Sequence, residues 1–366
     1  MGGGRSRDAF IVEKAGTKTR RLRGVLPLHA ASIEKRQQKN EPPKIARSVA
    51  NRLPAREEPR SGQPALLPPT ERKSSNCLLV NALLPDARTR LIAIIGDPVT
   101  HSVSPRAQSF ALSQIGENAL CLAFQVSPPR LQNAVKSARE LGLAGLMVTI
   151  PHKQVVLEWC DELHPSARLV GAANLLEFRA DGTTCGHSSD GWAALESLKS
   201  RGVEVRGAHI TILGGGGSAR SLALSFADAG AASIEIWNRT PERAQAIADE
   251  VRSRLGVEAV APPLPVGDLS RADIIINTTS IGMTPDTGSS PLDSAHIDAH
   301  HTVFDIVYNP LETRLLREAA QRGAKTVDGL DMVLWTNVYA ARVCLGVELR
   351  IEDLRAEARR ALESNR

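Results

Sequence analysis

Four consecutive glycines, Gly214, Gly215, Gly216 and Gly217, followed by Ser218 and Ala219, stand between a strand-like run, His209–Leu213, and a helix-like run reaching Ala229. No other feature constrains the fold as much. Glycine lets a chain leaving a strand turn tightly and approach a bound anion closely, and the first amides of the following helix then face that anion. The run departs from G-x-G-x-x-G only at Ala219. Strand, turn and helix in this order imply a parallel sheet with helices packed on it, so an α/β fold is expected. The next strand-like run, Ser233–Trp237, ends in Asn238-Arg239-Thr240. A site for NAD places an acidic residue there for the ribose hydroxyls; Arg239 suits a 2′-phosphate instead, through charge-assisted bonds and stacking on adenine. NADP is therefore the expected cofactor. A bland tight turn beside a solvated arginine is the plainer alternative.

Strand signals continue at Asp273–Asn277 and Thr302–Asp305, then a helix over Leu311–Gln321 and a short strand at Lys325–Val327. Helix is expected from Met332 onward, packing back on the first half of the chain. That half reads as a second α/β unit. Leu91–Ile95, Leu120–Val126 and Gly145–Thr149 are strand-like. Ala107, Phe110, Ala111 and Ile115 recur at helical spacing, as do Leu131, Val135, Ala138 and Leu141 before Gly142. Asp181-Gly182 between Leu175–Phe178 and Thr183–Cys185 predicts a hairpin.

Charge is unevenly placed. Nineteen of the 45 Lys and Arg but only eight of the 40 Asp and Glu lie in residues 1–90, so the remainder is mildly acidic despite an overall +5. A folded body of that sign lacks the basic stripe that nucleic acid requires. Residues 1–88 are rich in Arg, Pro, Ser and Gln and poor in aromatics, and are expected to be a disordered extension. A transit peptide fits less well because of Glu13, Glu34, Glu41, Glu57 and Glu58. A later translation start is a third reading, although no Met occurs between Met1 and Met147. The five cysteines are far apart with no metal-ligand spacing, so reduced thiols and no metal are expected. No apolar run is long enough to span a bilayer, which makes the cytoplasm the default compartment and leaves a homodimer open.

Two segments carry candidate chemistry. Thr149-Ile150-Pro151-His152-Lys153 closes a strand at its carboxyl end, where open α/β sheets bind ligands. Lys153 beside a carboxylate could exchange a proton with an alcohol or ketone, and Asp190 in Ser188-Ser189-Asp190-Gly191 is the candidate partner. Taken singly, a surface lysine and a helix cap would explain them. The serines of Ser102-Val103-Ser104-Pro105 could donate to a carboxylate or phosphate, or Ser104 could simply cap a helix with Pro105 at its first position.

Taken in order, Gly96-Asp97-Pro98, Ser102–Pro105, Val148–Lys153, Gly171-Ala172-Ala173-Asn174, Asp190-Gly191, Gly214–Ala219, Asn238–Thr240, Asn277–Met283, Tyr308-Asn309-Pro310 and Asp328-Gly329 resemble the shikimate dehydrogenase family from about residue 89 onward. The resemblance implies a substrate-binding catalytic domain over 89–195, completed by helices over 332–366, and a Rossmann-type NADP domain over 196–331. It implies NADP-linked interconversion of 3-dehydroshikimate and shikimate, a place in aromatic amino acid and chorismate biosynthesis, and catalysis by Lys153 paired with Asp190. Ser102 and Ser104 would bind the substrate carboxylate, Asn174 and Asp190 its ring hydroxyls, with Thr149 and Tyr308 lining the same cleft. Met283 and Gly329 would lie near the nicotinamide. The chain departs from the family at Met147, at Ser188-Ser189, at Asp331 and where a substrate-touching glutamine falls at Thr336 or Asn337. A paralogue acting on quinate or another cyclitol acid is the alternative, and a non-catalytic sensor is disfavoured because a sensor needs no proton relay.

Overall fold

The computed structural model describes residues 84–364. The extension expected over residues 1–88 therefore lies outside the described residues except for its last five. The first sheet begins with the βαβαβ unit formed by β1 (Arg90–Gly96), α1 (Ser104–Gln114), β2 (Ala119–Gln125), α2 (Leu131–Glu140) and β3 (Gly145–Val148). The chain continues through β4 (Glu162–Leu163), α3 (Pro165–Val170), β5 (Leu175–Phe178) and β6 (Thr184–His187). Strand order is β2-β1-β3-β5-β6-β4, with β1 parallel to β2 and β3, and β5 antiparallel to β3 and β6. The second hairpin strand starts one residue later than the expected Thr183–Cys185 and runs on to His187. Thr183 is consumed by the turn, where its amide and hydroxyl both bond Asp181 Oδ1, at 2.9 and 2.7 Å.

Helix α4 (Asp190–Lys199) carries the chain into the second sheet, built from β7 (His209–Leu213), β8 (Ser233–Trp237), β9 (Glu258–Val260), β10 (Ile274–Asn277), β11 (Thr302–Asp305) and β12 (Lys325–Val327). Its helices are α5 (Gly217–Asp228), α6 (Pro241–Leu255) and α7 (Arg314–Gln321). All five strand pairings are parallel in the order β12-β11-β10-β7-β8-β9. This is the doubly wound order, whose reversal between β7 and β10 opens a crevice at the carboxyl ends of the strands. The Ile-rich sequences of β7 and β10 suit strands covered on both faces. Strand β9 was not foreseen, since three residues with only Ala259 buried leave no periodic signal.

Helices α8 (Gly329–Leu345) and α9 (Ile351–Ser364) return to the first sheet. Leu334 and Val338 of α8 and Leu354 and Ala358 of α9 share a core with Ile92, Ile94 and Met147. Alternate residues of the same strands, among them Ile95, Leu146 and Val148, pack with Val135 and Ala138 of α2 on the opposite face. That alternation follows from the two-residue period of a strand. Each fully buried Ile or Leu contributes roughly 1.5–3 kcal/mol, so both faces of this sheet are closed. Two helix starts differ from expectation because of caps. Thr313 Oγ1 accepts from Leu316 N at 3.3 Å and starts α7 at Arg314, while Asp328 Oδ1 accepts from Leu330 N at 3.1 Å and starts α8 ahead of Met332. The fold class is thus α/β in two halves, the second Rossmann-like.

Cys121, Cys160, Cys185 and Cys344 are free thiols. Burial pushes Cys121 and Cys160 up to about 12, so neither is a thiolate nucleophile at neutral pH. Among the described residues, no helix is long and apolar enough to cross a membrane.

Candidate active site

Strand β3 ends at Val148, and the next five residues form a loop held at several points. Thr149 N donates to Ile95 O at 2.9 Å, and the buried His152 places Nε2 2.7 Å from Val126 O. These bonds present Lys153 at the carboxyl end of the first sheet. Asp190 opens α4, where a carboxylate complements the positive end of the helix dipole. Lys153 Nζ lies 2.6 Å from Asp190 Oδ2, with side chains 29% and 13% exposed. The pair is shielded yet reachable.

Asn174 fixes the other carboxylate oxygen. Its Nδ2 donates to Asp190 Oδ1 at 2.8 Å, and its Oδ1 accepts from Ser189 N at 2.7 Å. Both ends of the amide are thereby engaged, and Asn174 is bonded to Asp190. Ala173 N donates to Lys153 O at 2.8 Å, so one short segment holds both members of the pair.

A cavity of about 330 Å³ opens in front of them, lined by Thr149, Lys153, Asn174, Ser188 and Asp190 from the first sheet's side and by Gly217, Ser218, Arg220 and Ser221 from α5. Gln154, Arg220 and Ser221 were not singled out from the sequence. Arg220 could have been, since it falls on the first turn of the helix after the glycines. A smaller recess of about 170 Å³ lies at the amino-terminal ends of β7 and β8, among His209, Ser233 and Arg271, away from the strand ends where the pair sits.

Gly214 has φ +123, and a Cβ there would come within 2.4 Å of Thr278 Oγ1, so only glycine suits this position. A Cβ on Gly216 or Gly217 would meet nothing within 4 Å. The space over the start of α5 is open. No side chain caps that helix end and no acidic residue lies in its first turn, and Ala219 within it is wholly buried. An anion such as a pyrophosphate fits there. Asn238, Arg239 and Thr240 follow β8, with Asn238 Nδ2 donating to Thr240 O at 2.9 Å. Arg239 is exposed. Arg243, also exposed, lies beside the turn, with its Cβ 3.2 Å from where a Cβ of Gly215 would be. Four residues from Arg239 along the chain, Arg243 adds a second exposed cation beside the turn, and no motif in the sequence had marked it.

Ser102, Ser104, Tyr308 and Thr336 do not line the cavity between Lys153 and α5. Ser102 precedes α1, Ser104 lies in α1, Thr336 lies on α8 and Tyr308 follows β11. The capping reading of Ser104 is corrected: Val103 is the N-cap, Ser104 is the first helical residue, and Ser104 N donates to Ser102 Oγ at 3.3 Å. Tyr308 follows β11 and packs on the core of α1 and α8, and burial raises its phenol pKa. Between the two positions weighed on α8, Asn337 is fully buried and Gln108 donates to its carbonyl, whereas Thr336 is only half-buried. Met283 is 45% exposed, in the loop after β10. At Gly329 a Cβ would approach Ile306 O to 2.3 Å, which allows the start of α8 to press against the chain leaving β11.

Glu177, Cys185 and His187 converge on the hairpin within 4.8 Å. Arg179 Nε donates to Glu177 Oε2 at 3.1 Å, His187 Nε2 reaches the same oxygen at 3.2 Å, and Tyr339 meets His187 Nδ1 at 3.2 Å. The cluster is knit by its own hydrogen bonds.

Residues 94–176 match the family described as shikimate dehydrogenase substrate binding domain, and residues 196–306 match shikimate / quinate 5-dehydrogenase. The shikimate dehydrogenase (NADP(+)) of Symbiobacterium thermophilum is 42% identical over 280 residues, covering 75% of this chain and 95% of that protein. A solved shikimate dehydrogenase in complex with NADP+ is 36% identical with a TM-score of 0.72, over 76% of this chain and 98% of the other. The ligand-free 5-ketofructose reductase of Gluconobacter sp. strain CHM43 superposes with the same TM-score at 31% identity, over 75% and 100%.

Proposed function

The chain belongs to the shikimate dehydrogenase family, and we propose from that premise that it interconverts 3-dehydroshikimate and shikimate with NADP. The supporting observation is the 2.6 Å contact of Lys153 Nζ with Asp190 Oδ2, facing across one cavity the open turn at Gly216 and Gly217. The reaction is an NADP-dependent alcohol oxidation and its reverse. The first half of the chain with α8 and α9 supplies the substrate side, and the second half supplies the cofactor side.

Gly214–Ala219 would hold the pyrophosphate, while Arg239 and Arg243 would meet the 2′-phosphate. The bound nicotinamide supplies or accepts the hydride. Asp190 Oδ2 takes one proton of the Lys153 ammonium in a hydrogen bond and leaves two donors for the substrate oxygen. In the direction of reduction, Lys153 protonates the carbonyl oxygen as that oxygen gains charge; in oxidation it takes the hydroxyl proton back. Asn174 holds Asp190 in register throughout. Ser102, Ser104, Tyr308 and Thr336 would bind the substrate carboxylate and ring through their hydroxyls, and Met283 and Gly329 would lie near the nicotinamide. The same reading describes a cytoplasmic enzyme of a small-molecule substrate.

The test is spectrophotometric. Purified protein reduces NADP⁺ on addition of shikimate, and Lys153→Ala lowers kcat by about 10²- to 10⁴-fold, the usual worth of a positioned acid or base. An unchanged rate in that variant, or no oxidation of shikimate by the wild type, overturns the assignment.

A further inference from the structure

Helix α3 ends at Gly171, which leaves the last carbonyls of the helix without partners inside it. Gly171 N takes Ala167 O at 2.8 Å. Two of the others are capped from the opposite half of the molecule. Arg220 Nη1, on the first turn of α5, donates to Val170 O, and Arg254 Nη2, on α6, reaches Arg168 O at 3.4 Å. Both guanidiniums are held by one carboxylate. Glu250 accepts from Arg220 Nε at 2.7 Å and Nη2 at 2.6 Å, and from Arg254 Nη1 at 2.5 Å. A two-pronged contact of this kind fixes the plane of a guanidinium. The remaining nitrogen of Arg220 is thereby aimed at Val170.

The segment just beyond Val170 holds the catalytic pair. Ala173 N holds the Lys153 carbonyl, and Asn174 Nδ2 holds Asp190 Oδ1. Behind Arg220, its own amide donates to Gly216 O at 3.0 Å, in the glycine turn. One side chain thus spans from the phosphate-facing turn to the segment that sets both members of the proton-transfer pair, along the wall of the cavity they share.

We infer that Arg220, oriented by Glu250, is a positioning residue that couples occupancy of the glycine turn to the placement of Lys153 and Asp190. Its kinetic consequence rests on the proposed function; the coupling itself does not. Binding at the turn stiffens the start of α5, and Arg220 passes that order to residues 170–174.

Arg220→Gln, Arg220→Lys and Glu250→Gln test it, with two readouts. Amide hydrogen exchange is measured across residues 170–174 with and without NADP⁺. In the wild type NADP⁺ slows exchange there; in Arg220→Gln and Glu250→Gln the amides of Ala173 and Asn174 exchange about tenfold faster, and NADP⁺ no longer protects them. Shikimate oxidation then shows kcat lowered about tenfold or more in both variants, as expected for a displaced catalytic pair, with the KM for NADP⁺ within about threefold. Lysine, a point charge without the fork, does not rescue. If Arg220→Gln raises the NADP⁺ KM while Glu250→Gln leaves kcat and exchange unchanged, Arg220 is a direct phosphate ligand and the coupling is overturned. Lower melting temperatures with unchanged kcat and exchange overturn it as well. Should Arg220→Gln fail to fold, Glu250→Gln decides alone. A wild type inactive on shikimate but showing NADP⁺ protection at 170–174 sinks the substrate assignment and leaves the coupling standing.

Discussion

At the scale of the residue, the two groups of the proposed proton-transfer pair are held by unlike means. Lys153 is fixed through its backbone, by loop bonds from Thr149 to Ala173, and Asp190 through its side chain, by Asn174. The lysine was legible in the sequence because it follows a strand end. The bond from Asn174 to Asp190 was not, because only coordinates show which groups its amide meets. Burial also separates Thr336 from Asn337, the first half-buried and the second fully buried. Arg239 and Arg243 carry a prediction at this scale. Both are exposed, Arg243 beside the turn, and among the described residues neither takes part in an ion pair, so their charge is available to a phosphate. Arg239→Ala should weaken NADP⁺ about tenfold or more, the worth of a charge-assisted bond of about 1.5–3 kcal/mol, and leave NAD⁺ within about twofold. Titration of both cofactors by fluorescence checks this; equal losses would remove the 2′-phosphate role.

At the scale of the element, strand ends decide more than strand interiors. Strand β11 ends in Asp305, fully buried, with Oδ1 accepting from Val307 N at 3.0 Å and Asn277 Nδ2 at 2.9 Å, and Oδ2 accepting from Thr313 Oγ1 at 2.7 Å. The carboxyl ties β10, β11 and the cap of α7 together. Burial pushes its pKa up from 3.8 to about 6, against the pull of those donors. Between these two values the folded chain keeps a proton that the unfolded chain has lost. Its contribution to stability is full below about pH 4, declines as pH rises through about 6, and is then constant. Asp305→Asn abolishes that decline. Urea unfolding from about pH 4 to 7 should show the wild type losing on the order of 3 kcal/mol relative to the variant across the window; parallel curves would refute it. Periodicity announced β10 and β11 as strands, but a polar residue at a strand's end looks alike in the sequence whether it faces solvent or a neighbouring cap.

At the scale of the whole molecule, α4 leads from the first sheet to the second and α8 leads back, and a buried carboxylate joins the two. Asp331, in the first turn of α8, accepts from Arg201 Nη2 at 3.1 Å, in the turn after α4, and from Arg355 on α9 through Nε at 2.9 Å and Nη2 at 2.7 Å. Its side chain is 1% exposed, whereas those of Arg201 and Arg355 are 38% and 25% exposed. Asp331→Asn removes the charge from between two guanidiniums and should cost about 3 kcal/mol, the low end for a broken buried pair, because both arginines keep some access to water. Chemical denaturation measures this, and a loss below about 0.5 kcal/mol would show the junction to be held by packing alone. Asp331 stood out in the sequence only as a departure from the family pattern. Its partners lie 130 and 24 residues away, and no local pattern connects them.

Residue order alone determined that this chain forms two α/β units and that the second opens a helix with a glycine-rich turn suited to a phosphate, while the resemblance to a family singled out a lysine and an aspartate. Those features depend on contacts between near neighbours: strand alternation, helical spacing, glycine at a turn. The tertiary structure decided which carboxylate oxygen Lys153 meets, that Asn174 serves Asp190, and that Arg220 reaches across to α3. These depend on groups brought together from distant parts of the chain, whose distances and burial exist only after both sheets have packed.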